Sequence, residues 1–494
     1  YGAPSTIAFK ILGNIGKLKK VKGLDNYLKN RFGENPAEWH SGVTLAERRR
    51  VWKMVASGGA KLVIGARSAL FLPFMNLGLV IVDEEHDHSY KQEDGVIYNA
   101  RDMAVLRSSI ERSTVILASA TPSLESWVNA KNGKYYHVQI NERYGEATLP
   151  NLSAIDLRKE NLKSNEWISN RLEKSVTECL QNSEQTLLFL NRRGYSPTTI
   201  CRACGNQISC DQCDARMVEH RFINRLMCHH CGHTKPMPDK CPSCGIIGKL
   251  AVVGPGVERL AEEAHIKFPK AKISVLSSDL HGSVKSLKDE IQKISEGNTD
   301  IIIGTQLVAK GHNFPKLRLV GVIDIDIGLH GSDLRAVERT YQLVRQVSGR
   351  AGRMDNKGMA LIQTYQPEHP VVEAILRGND DDFWVSEAKQ RELACMPPFG
   401  KLVGIIISSS DFERATSAAN QLKNNTQALD LIGARAYGPA PAPIARIKRR
   451  HRIRFLVKSP RTSGLQDAVR KWVTNVSLKG DLRLSIDIDP QSFY

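Results

Sequence analysis

Features that would define whole classes of protein are missing from this 494-residue sequence. No stretch approaches the ~20 consecutive apolar residues that a membrane-spanning helix needs. The opening residues, from Tyr1 to Lys20, contain no long apolar core of a secretion signal. We therefore expect no membrane partner and no export. Internal repeats and extended low-complexity tracts are also missing, and the apolar content of 41% and charged content of 24% are those of an ordinary globular chain.

The sequence also lacks a phosphate-binding loop of the form G-x-x-x-x-G-K-[ST], in which backbone N–H groups and a lysine cradle phosphates. The nearest segment, Gly13-Asn14-Ile15-Gly16-Lys17-Leu18, has too short a gap between its glycines and no hydroxyl residue for Mg²⁺. The chain begins with Tyr rather than Met, so we expect a fragment. We do not expect this chain alone to hydrolyse ATP.

Acidic residues are outnumbered, with 52 Asp and Glu against 69 Lys and Arg, which gives a net charge of +17. A soluble protein this basic usually binds a polyanion, and nucleic acid is the most common one. The alternative is that the surplus lysines only keep the protein soluble. We expect a nucleic-acid partner.

Eight of the ten cysteines form four Cys-x-x-Cys pairs. In a large chain without a secretion signal, such pairs indicate metal ligands and a reducing, cytoplasmic compartment. Eight thiolates predict two closed, structural zinc sites of four cysteines each. Spacing does not fix which pairs share a metal, but a nested arrangement suits a ribbon best. That arrangement places zinc 1 on Cys201, Cys204, Cys241 and Cys244, and zinc 2 on Cys210, Cys213, Cys228 and Cys231.

Short apolar runs alternate with helical patterns along most of the chain, which is typical of α/β domains with buried parallel strands. The alternation stops and restarts, so we predict two tandem α/β lobes, with the cysteine-rich segment interrupting the second. After Met396 the pattern changes to that of a small α+β domain. The predicted boundaries are an unmatched stretch at 1–24, lobe one at 25–145, lobe two at 146–200 and 248–375, the zinc insertion at 201–247, and the carboxyl-terminal domain at 390–494.

Two carboxylates, Asp83 and Glu84, directly follow the apolar run at 77–82. Nucleotide hydrolysis needs one carboxylate for Mg²⁺ and its waters, and another to orient and deprotonate the attacking water. The alternative is an acidic surface turn. Further candidate segments at strand ends are Ser119-Ala120-Thr121, Gly304-Thr305-Gln306 and Ala309-Lys310-Gly311-His312.

The segment from Gln346 to Arg353 reads QVSGRAGR. Arg350 and Arg353 would share one face of a helix, and the glycines beside them would let a phosphate chain approach closely. An arginine that reaches the γ-phosphate can change the rate by ~10³–10⁵. The alternative is a solvated basic helix end.

A second basic pattern alternates along one segment near the end of the chain. If this segment is a single strand, all five of its cations point to one face and suit a phosphate backbone. The alternative is an edge strand that charge protects from aggregation. The five residues are Arg446, Lys448, Arg450, Arg452 and Arg454.

Together these blocks resemble superfamily 2 helicases and, within them, the PriA family of replication-restart helicases, also called primosomal protein N′. The family-specific segments are GARSALF (65–71), DEEHDHSYKQED (83–94), YNARDMAVLR (98–107), LNRRGY (190–195), GTQLVAKGHNFP (304–315), QVSGRAGR (346–353) and MPPFGKL (396–402). The resemblance covers roughly residues 25–494. It implies two RecA-like lobes, a zinc ribbon in the second lobe, and a phosphate-binding loop upstream of Tyr1.

The resemblance also implies an ATP-dependent, Mg²⁺-requiring 3′-to-5′ DNA helicase that recognises forked and single-stranded DNA and starts primosome assembly. Its implied partners are single-stranded-DNA-binding protein and other primosome proteins. Asp83 and Glu84 would serve Mg²⁺ and water, Arg350 and Arg353 the phosphates, and Gln346 nucleotide or water, while Thr305 and Lys310 would touch DNA or couple the lobes. A competing hypothesis is a non-catalytic zinc-ribbon scaffold, favoured by the missing phosphate-binding loop.

Overall fold

The computed structural model describes most of the chain in two compact units, Tyr1–Tyr135 and Tyr136–Tyr494. No helix in the described part is both long and apolar enough to cross a bilayer. The described residues are 7–11, 29–93, 95–140, 150–163, 166–191, 198–211, 217–220, 225–228, 233–253, 257–276, 284–309, 314–329, 335–352, 358–447, 449–461, 464–474 and 479–492.

The first unit contains a five-stranded parallel sheet in the order β2-β3-β1-β4-β7. Its strands are β1 (Ile7–Ile11), β2 (Ala37–Trp39), β3 (Leu62–Gly65), β4 (Leu77–Asp83) and β7 (Thr114–Ala118), and a short hairpin is formed by β5 (Lys91–Gln92) and β6 (Tyr98–Asn99). The helices are Leu45–Ala56, Ala100–Glu111 and Leu124–Lys131, with 3₁₀ turns at Arg67–Phe71 and His88–Tyr90.

The two faces of this sheet are covered unequally. On one face, Val51 and Val55 of the first helix and Ala104 of the second pack with Val80 and Val82 of β4 in a single apolar core. On the alternate positions, Leu79 and Ile81 are only half-buried, and Ile116 of β7 is 45% exposed. The expectation of strands buried on both faces is therefore wrong for β4 and β7.

The central strand of this sheet is β1, although the first 24 residues match no motif. It pairs with β3 on one side and β4 on the other. In parallel α/β sheets the phosphate-binding loop follows such a strand. The segment Gly13–Leu18, which follows β1 in this chain, lies outside the described residues.

The second unit contains a six-stranded parallel sheet in the order β15-β16-β9-β17-β18-β8. The strands are β8 (Asn151–Asp156), β9 (Gln185–Phe189), β15 (Ile273–Leu276), β16 (Ile301–Gly304), β17 (Leu317–Val322) and β18 (Met359–Thr364). The helices are Asn170–Gln181, Val257–Lys267, Val284–Ser295, Gln306–Ala309, Asp326–Leu329, Ala336–Ser348, Pro370–Arg377 and Asp380–Leu393, with a 3₁₀ turn at Leu157–Lys159. Every residue of β9 and β16 is buried, as the apolar runs predict.

The zinc insertion forms its own antiparallel sheet, in the order β13-β12-β11-β10-β14. Its strands are β10 (Thr198–Cys201), β11 (Val218–His220), β12 (Arg225–Met227), β13 (Thr234–Pro236) and β14 (Leu250–Val253). The run at 250–253 was expected to belong to lobe two. Instead it pairs antiparallel with β10, so the first and last strands of the insertion lie side by side.

The carboxyl-terminal domain is a four-stranded antiparallel sheet in the order β20-β21-β19-β22. Its strands are β19 (Gly400–Ser409), β20 (Arg435–Ile447), β21 (Arg450–Pro460) and β22 (Arg483–Ile488), and its helices are Phe412–Lys423, Gln427–Asp430 and Leu465–Thr474. Trp472 and Phe455 meet edge to face in its core, with ring centroids 5.6 Å apart. The α+β prediction is confirmed, and the Ala- and Pro-rich segment 436–443, whose composition is typical of a loop, belongs to β20.

Candidate nucleotide, zinc and DNA sites

The acidic motif of lobe one stands at the carboxyl end of β4, as predicted. Asp83 is the last residue of the strand, and its carbonyl oxygen accepts a hydrogen bond of 2.6 Å from the Tyr90 hydroxyl. Glu84 adopts a left-handed backbone with φ of 50°, a strain of order 1–3 kcal/mol that clusters at functional sites. Its side chain is 50% exposed, so this carboxylate can reach a ligand.

Several carboxylates together make this strand end electronegative. Burial raises the pKa of Tyr90, and the charges of Asp83, Asp87, Glu84 and Glu85 raise it further. Burial is the larger cause, and the contribution of the four carboxylates reflects the negative charge gathered at this strand end. Such a charge favours binding of a divalent cation through carboxylate oxygens.

The motif contacts the Ser119-Ala120-Thr121 segment directly. His86 Nδ1 lies 2.7 Å from Ser119 Oγ, and that hydroxyl accepts a hydrogen bond of 2.9 Å from the Thr121 N–H. The same Nδ1 is 3.7 Å from a Glu84 carboxylate oxygen. The structure thus joins two segments that the sequence suggested separately, through a histidine to which no role had been assigned.

Glu85 has a different role from its two acidic neighbours. It is 2% exposed and accepts hydrogen bonds from the Ser123 N–H (2.6 Å), the Ser123 hydroxyl (2.9 Å) and the Ser126 hydroxyl (3.0 Å). Arg101, itself buried, lies 3.3 Å from the same carboxylate. Sequence reasoning missed this network because its members are up to 41 residues apart, although Arg101 lies inside the YNARDMAVLR segment.

In lobe two, Thr305 follows β16 at the carboxyl edge of the sheet. Gly304 before it is required by packing, because a Cβ there would lie 2.4 Å from a Val308 methyl group. Lys310 lies outside the described residues. The carboxyl edge therefore carries one of the two residues to which DNA contact or lobe coupling was assigned.

Gln346 and Arg350 lie at the end of the helix Ala336–Ser348. Gln346 is in its last turn, but Arg350 follows the helix, with its N–H donating to the Val347 carbonyl (3.0 Å). The expectation that Arg350 and Arg353 share a helical face is wrong for Arg350, and Arg353 lies outside the described residues. Gly349 is the C-cap of this helix and has a right-handed backbone, whereas Gly352, three residues on, is left-handed with φ of 69°.

The end of this helix lies at the amino edge of the lobe-two sheet. The Gly352 N–H donates to the carbonyl of Leu317, the first residue of β17, at 3.1 Å. Because β16 and β17 run parallel through the same sheet, Thr305 and Arg350 lie at opposite edges. The structure separates the candidate phosphate contacts of this lobe from its candidate DNA contacts.

The carboxyl edge of lobe two also carries two buried acids, Asp324 and Asp326, which are 4% and 1% exposed. Asp324 accepts hydrogen bonds from the Asp326 N–H (2.9 Å) and the Ile327 N–H (3.3 Å). Asp326 accepts from the Thr364 hydroxyl (2.6 Å) and the Tyr365 N–H (2.7 Å). Burial raises the pKa of Asp324 to about 8 and that of Asp326 to about 6. Both carboxylates therefore accept hydrogen bonds within the protein and are not exposed to a ligand.

The four outer cysteines converge as the nested arrangement predicts. Their sulfurs all lie within 4.8 Å of one another, and the Cys201–Cys244 and Cys204–Cys241 pairs are both 3.7 Å apart. A tetrahedral ion with Zn–S bonds of about 2.3 Å needs sulfurs about 3.8 Å apart, so the cluster fits zinc. Burial works against ionisation of Cys241, but the N–H groups of Cys244 and Ser243 bring the pKa of its thiol down to about 7.

The inner cysteines are only partly described. Cys210 and Cys228 are both buried and belong to one small core with Met217 and Leu226, which places the first cysteine of the second pair and the first of the third pair in the same core. The Cys228 N–H donates to the His233 carbonyl, five residues on, as Cys201 and Cys241 donate to residues 206 and 246. Cys213 and Cys231 lie outside the described residues, and Cys179, which belongs to no Cys-x-x-Cys pair, is a buried thiol.

The basic stripe is not the single strand that was expected. β20 ends at Ile447 and β21 begins at Arg450, so the segment is a hairpin whose turn includes Arg449 at φ of 61°. Arg446 is therefore on a different strand from the last three cations, and Lys448 lies outside the described residues. The Arg-x-Arg spacing continues across the turn, so the sequence pattern did not distinguish a hairpin from a single strand.

The remaining arginines of the stripe differ in their accessibility. Arg450 pairs with Asp481 (3.2 Å) and donates to the Ser408 carbonyl (2.7 Å), and Arg454 is 5% exposed. Arg452 is half-buried and donates to the Ile444 carbonyl at 3.2 Å. Arg446 and Arg449, near the hairpin turn, are exposed.

Comparison with known proteins agrees with this architecture. Three family profiles match: the Primosomal protein N C-terminal domain over residues 392–491, the PriA DNA helicase Cys-rich region (CRR) domain over 210–236, and the Helicase conserved C-terminal domain over 245–355. The Replication restart protein PriA of Rickettsia felis is 41% identical over 469 residues, which cover 95% of this chain and 72% of that protein. The proteins of the same name from Bacillus subtilis and Haemophilus influenzae are each 36% identical; the alignments cover 94% of this chain and 58% and 63% of those proteins.

Among solved structures, RecG bound to a three-way DNA junction aligns with 78% of this chain and 40% of that chain, with a TM-score of 0.41 and 13% identity. That likeness is too low to bear on function.

The chain contains two parallel α/β sheets, with an acidic motif at a strand end of the first and a cysteine-rich insertion in the second. It also matches the helicase carboxyl-terminal domain. Together these features define a helicase. The chain belongs to the PriA family of replication restart proteins. Its helicase function is therefore that of replication restart, and the ribbon match together with the cysteine cluster supports zinc as its metal.

Proposed function

We propose that the chain forms most of an ATP- and Mg²⁺-dependent 3′-to-5′ DNA helicase that acts in the cytoplasm on stalled or repaired forks and starts primosome assembly. The observation that carries the proposal is the difference in environment among three consecutive residues that follow β4. Glu84 is half exposed at a strained turn, Glu85 is withdrawn into a buried network, and His86 links the turn to Ser119.

In this proposal Asp83 holds Mg²⁺ and its waters, and Glu84 orients and deprotonates the water that attacks the phosphate. Bound ATP with Mg²⁺ supplies the transferable phosphoryl group and neutralises charge that develops on it. The contact between His86 and Ser119 is suited to passing a change at Glu84 to the neighbouring strand. Gln346, Arg350 and Arg353 would contact nucleotide phosphates, and Thr305 and Lys310 would touch DNA or couple the lobes.

We assign two zinc ions to the ribbon, both closed and structural. Zinc 1 would bind the converged sulfurs of Cys201, Cys204, Cys241 and Cys244. Zinc 2 would bind Cys210, Cys213, Cys228 and Cys231, supported by the shared core of the two described members.

The exposed cations near the β20–β21 turn are the proposed DNA contacts of the carboxyl-terminal domain. Arg446 and Arg449 form this set, and Arg449 is added by the structure. Lys448, which lies between them in the sequence and outside the described residues, stays a proposed contact on the sequence alone. The contacts of Arg450 and the burial of Arg454 argue against direct phosphate contacts for those two residues, and Arg452 stays a weaker candidate. Single-stranded-DNA-binding protein and other primosome proteins are further proposed partners.

The DNA assignment is tested by salt dependence. A double change of Arg446 and Arg449 to Ala should reduce the slope of log affinity against log salt by roughly 0.7–0.9 for each lost phosphate contact. Arg470→Ala, which removes an equally exposed cation from a helix of the same domain, should leave that slope unchanged. Equal slopes for the double variant and the original chain would exclude these contacts.

The catalytic assignment is tested by ATP hydrolysis with forked DNA. The sequence contains no recognisable phosphate-binding loop, so we expect no turnover until the chain is extended with that loop from a relative. Robust hydrolysis by the unextended chain would show that phosphate is held in another way.

The competing function is a non-catalytic ribbon scaffold that binds forks and primosome proteins. It is favoured only by the absence of the loop sequence. It predicts that the extended chain remains inactive while fork affinity stays the same.

A further inference from the structure

The two knuckles of zinc 1 have the same local form. They read Cys201-Arg202-Ala203-Cys204-Gly205 and Cys241-Pro242-Ser243-Cys244-Gly245. Gly205 and Gly245 have φ of +74° and +73°, and each donates its N–H to the carbonyl of the first cysteine, at 2.8 and 2.9 Å. Any difference between the knuckles must therefore come from their surroundings.

The surroundings differ sharply. A Cβ on Gly205 would lie 2.8 Å from the Tyr365 carbonyl oxygen, whereas a Cβ on Gly245 would meet nothing within 4 Å. Gly205 is buried and Gly245 is exposed. Tyr365 directly follows β18 and donates its N–H to Asp326. The first knuckle is therefore packed on the carboxyl edge of the lobe-two sheet, and the second faces away from it.

Arg202 adds polar contacts to this packing. Its guanidinium donates to the Lys163 carbonyl and lies over the Trp167 ring, 5.6 Å from the centroid. Burial raises the pKa of both Asp324 and Tyr365, and the positive charge of Arg202 opposes that rise in both. The equivalent position in the second knuckle is Pro242, which has neither charge nor N–H donor.

We propose that Arg202 is a positioning residue which, with Gly205, fixes the zinc ribbon to the carboxyl edge of lobe two. Closing the first knuckle on zinc places the guanidinium against Lys163 and Trp167 and presses the knuckle backbone onto Tyr365. The edge held in this way includes Asp326 and Tyr365 and belongs to the same sheet edge as Thr305. The inference rests on the proposed ligands of zinc 1 and does not depend on ATP hydrolysis.

The knuckles supply a matched pair of variants. Gly205→Ala and Gly245→Ala introduce the same backbone strain into the same turn, but only the first creates a clash with lobe two. We expect amide exchange of the peptide containing Tyr365 to rise by roughly 5- to 150-fold in Gly205→Ala, the range expected for overpacking a close contact, and to stay unchanged in Gly245→Ala. Zinc content, measured on the same zinc-loaded samples, should remain two per chain in both.

Substitution of Arg202 tests the polar part independently. Arg202→Ala should raise exchange at both Trp167 and Tyr365 without loss of zinc. Arg202→Lys keeps the charge but not the planar fork, so it should recover part of that protection.

Equal exchange at Tyr365 in the two glycine variants would overturn the proposal. Exchange in Arg202→Ala identical to that of the unchanged chain would also overturn it. These measurements need no nucleotide, so their failure would leave the helicase assignment intact, and failure of hydrolysis would leave the ribbon attachment intact.

Discussion

The carboxyl edges of the two parallel sheets carry acids in similar positions and use them differently. In lobe one the acids follow β4, and Glu84 is half exposed while Glu85 is buried. In lobe two the acids follow β17, and both Asp324 and Asp326 are buried and accept hydrogen bonds from backbone N–H groups. The first edge is left open to a ligand, and the second is an attachment surface for the zinc ribbon. An acid at a strand end therefore indicates chemistry only when its carboxylate stays accessible.

Removal of zinc should produce the largest difference between the two edges. Structural zinc sites contribute about 10–16 kcal/mol of apparent binding energy, so a strong chelator should unfold the ribbon. We expect amide exchange to increase around Tyr365 in lobe two and to stay constant around Asp83 in lobe one. Equal changes at both edges, or none at either, would contradict the comparison.

Within lobe one, changing Glu85 to Ala should be far more damaging to stability than changing Glu84 to Gln. Loss of Glu85 takes the acceptor from the buried Ser123 N–H and Ser126 hydroxyl, and a buried group without its partner costs about 1–3 kcal/mol. A surface change usually stays within about 0.5 kcal/mol. Denaturant midpoints of the lobe-one transition measure both. A Glu84→Gln variant as unstable as Glu85→Ala would show that Glu84 is structural.

Lobe two should lose stability as pH rises, and Asp324→Asn should reduce that loss. Burial raises the pKa of Asp324 from an ordinary 3.8 to about 8, so the folded state holds the proton more tightly than the unfolded state. The stability from this proton is complete below about pH 4 and is lost as pH rises toward 8.

Denaturant midpoints at pH 6 and pH 8, in saturating zinc, should therefore fall less in the Asn variant than in the original chain. The lobe-one transition of the same samples is the control for general effects of pH. Equal falls in the two chains would mean that Asp324 is ionised throughout this range.

Local patterns predicted most of the fold and the most accessible site residues. Apolar runs located most of the parallel strands, Cys-x-x-Cys spacing identified the four outer cysteines whose sulfurs converge, and the run at 77–82 placed Asp83 and Glu84 at a strand end. The Glu85–Arg101–Ser123 network and the packing of Gly205 on Tyr365 were not predictable in this way. Both join residues far apart in sequence, and their geometry depends on how complete elements pack.

Local signals were also overridden or overlooked. The alternating cations at 446–454 predicted one strand, but the chain turns at Arg449. Arg449 has a positive φ, which glycine adopts most readily, so no residue type marked the turn in the sequence. The end of the helix at Ser348 was likewise not predicted, because the arginine spacing at 350–353 fits a helix that continues.

The central claim is that Glu84, and not its buried neighbour, performs chemistry at the lobe-one edge. Fork-stimulated ATP hydrolysis by Glu84→Gln, in the chain extended with a relative's phosphate-binding loop, tests it most directly. The account predicts a loss of roughly 10²–10⁴-fold in turnover, the typical contribution of a general base, with fork affinity unchanged. Turnover at the rate of the unsubstituted extended chain would contradict it.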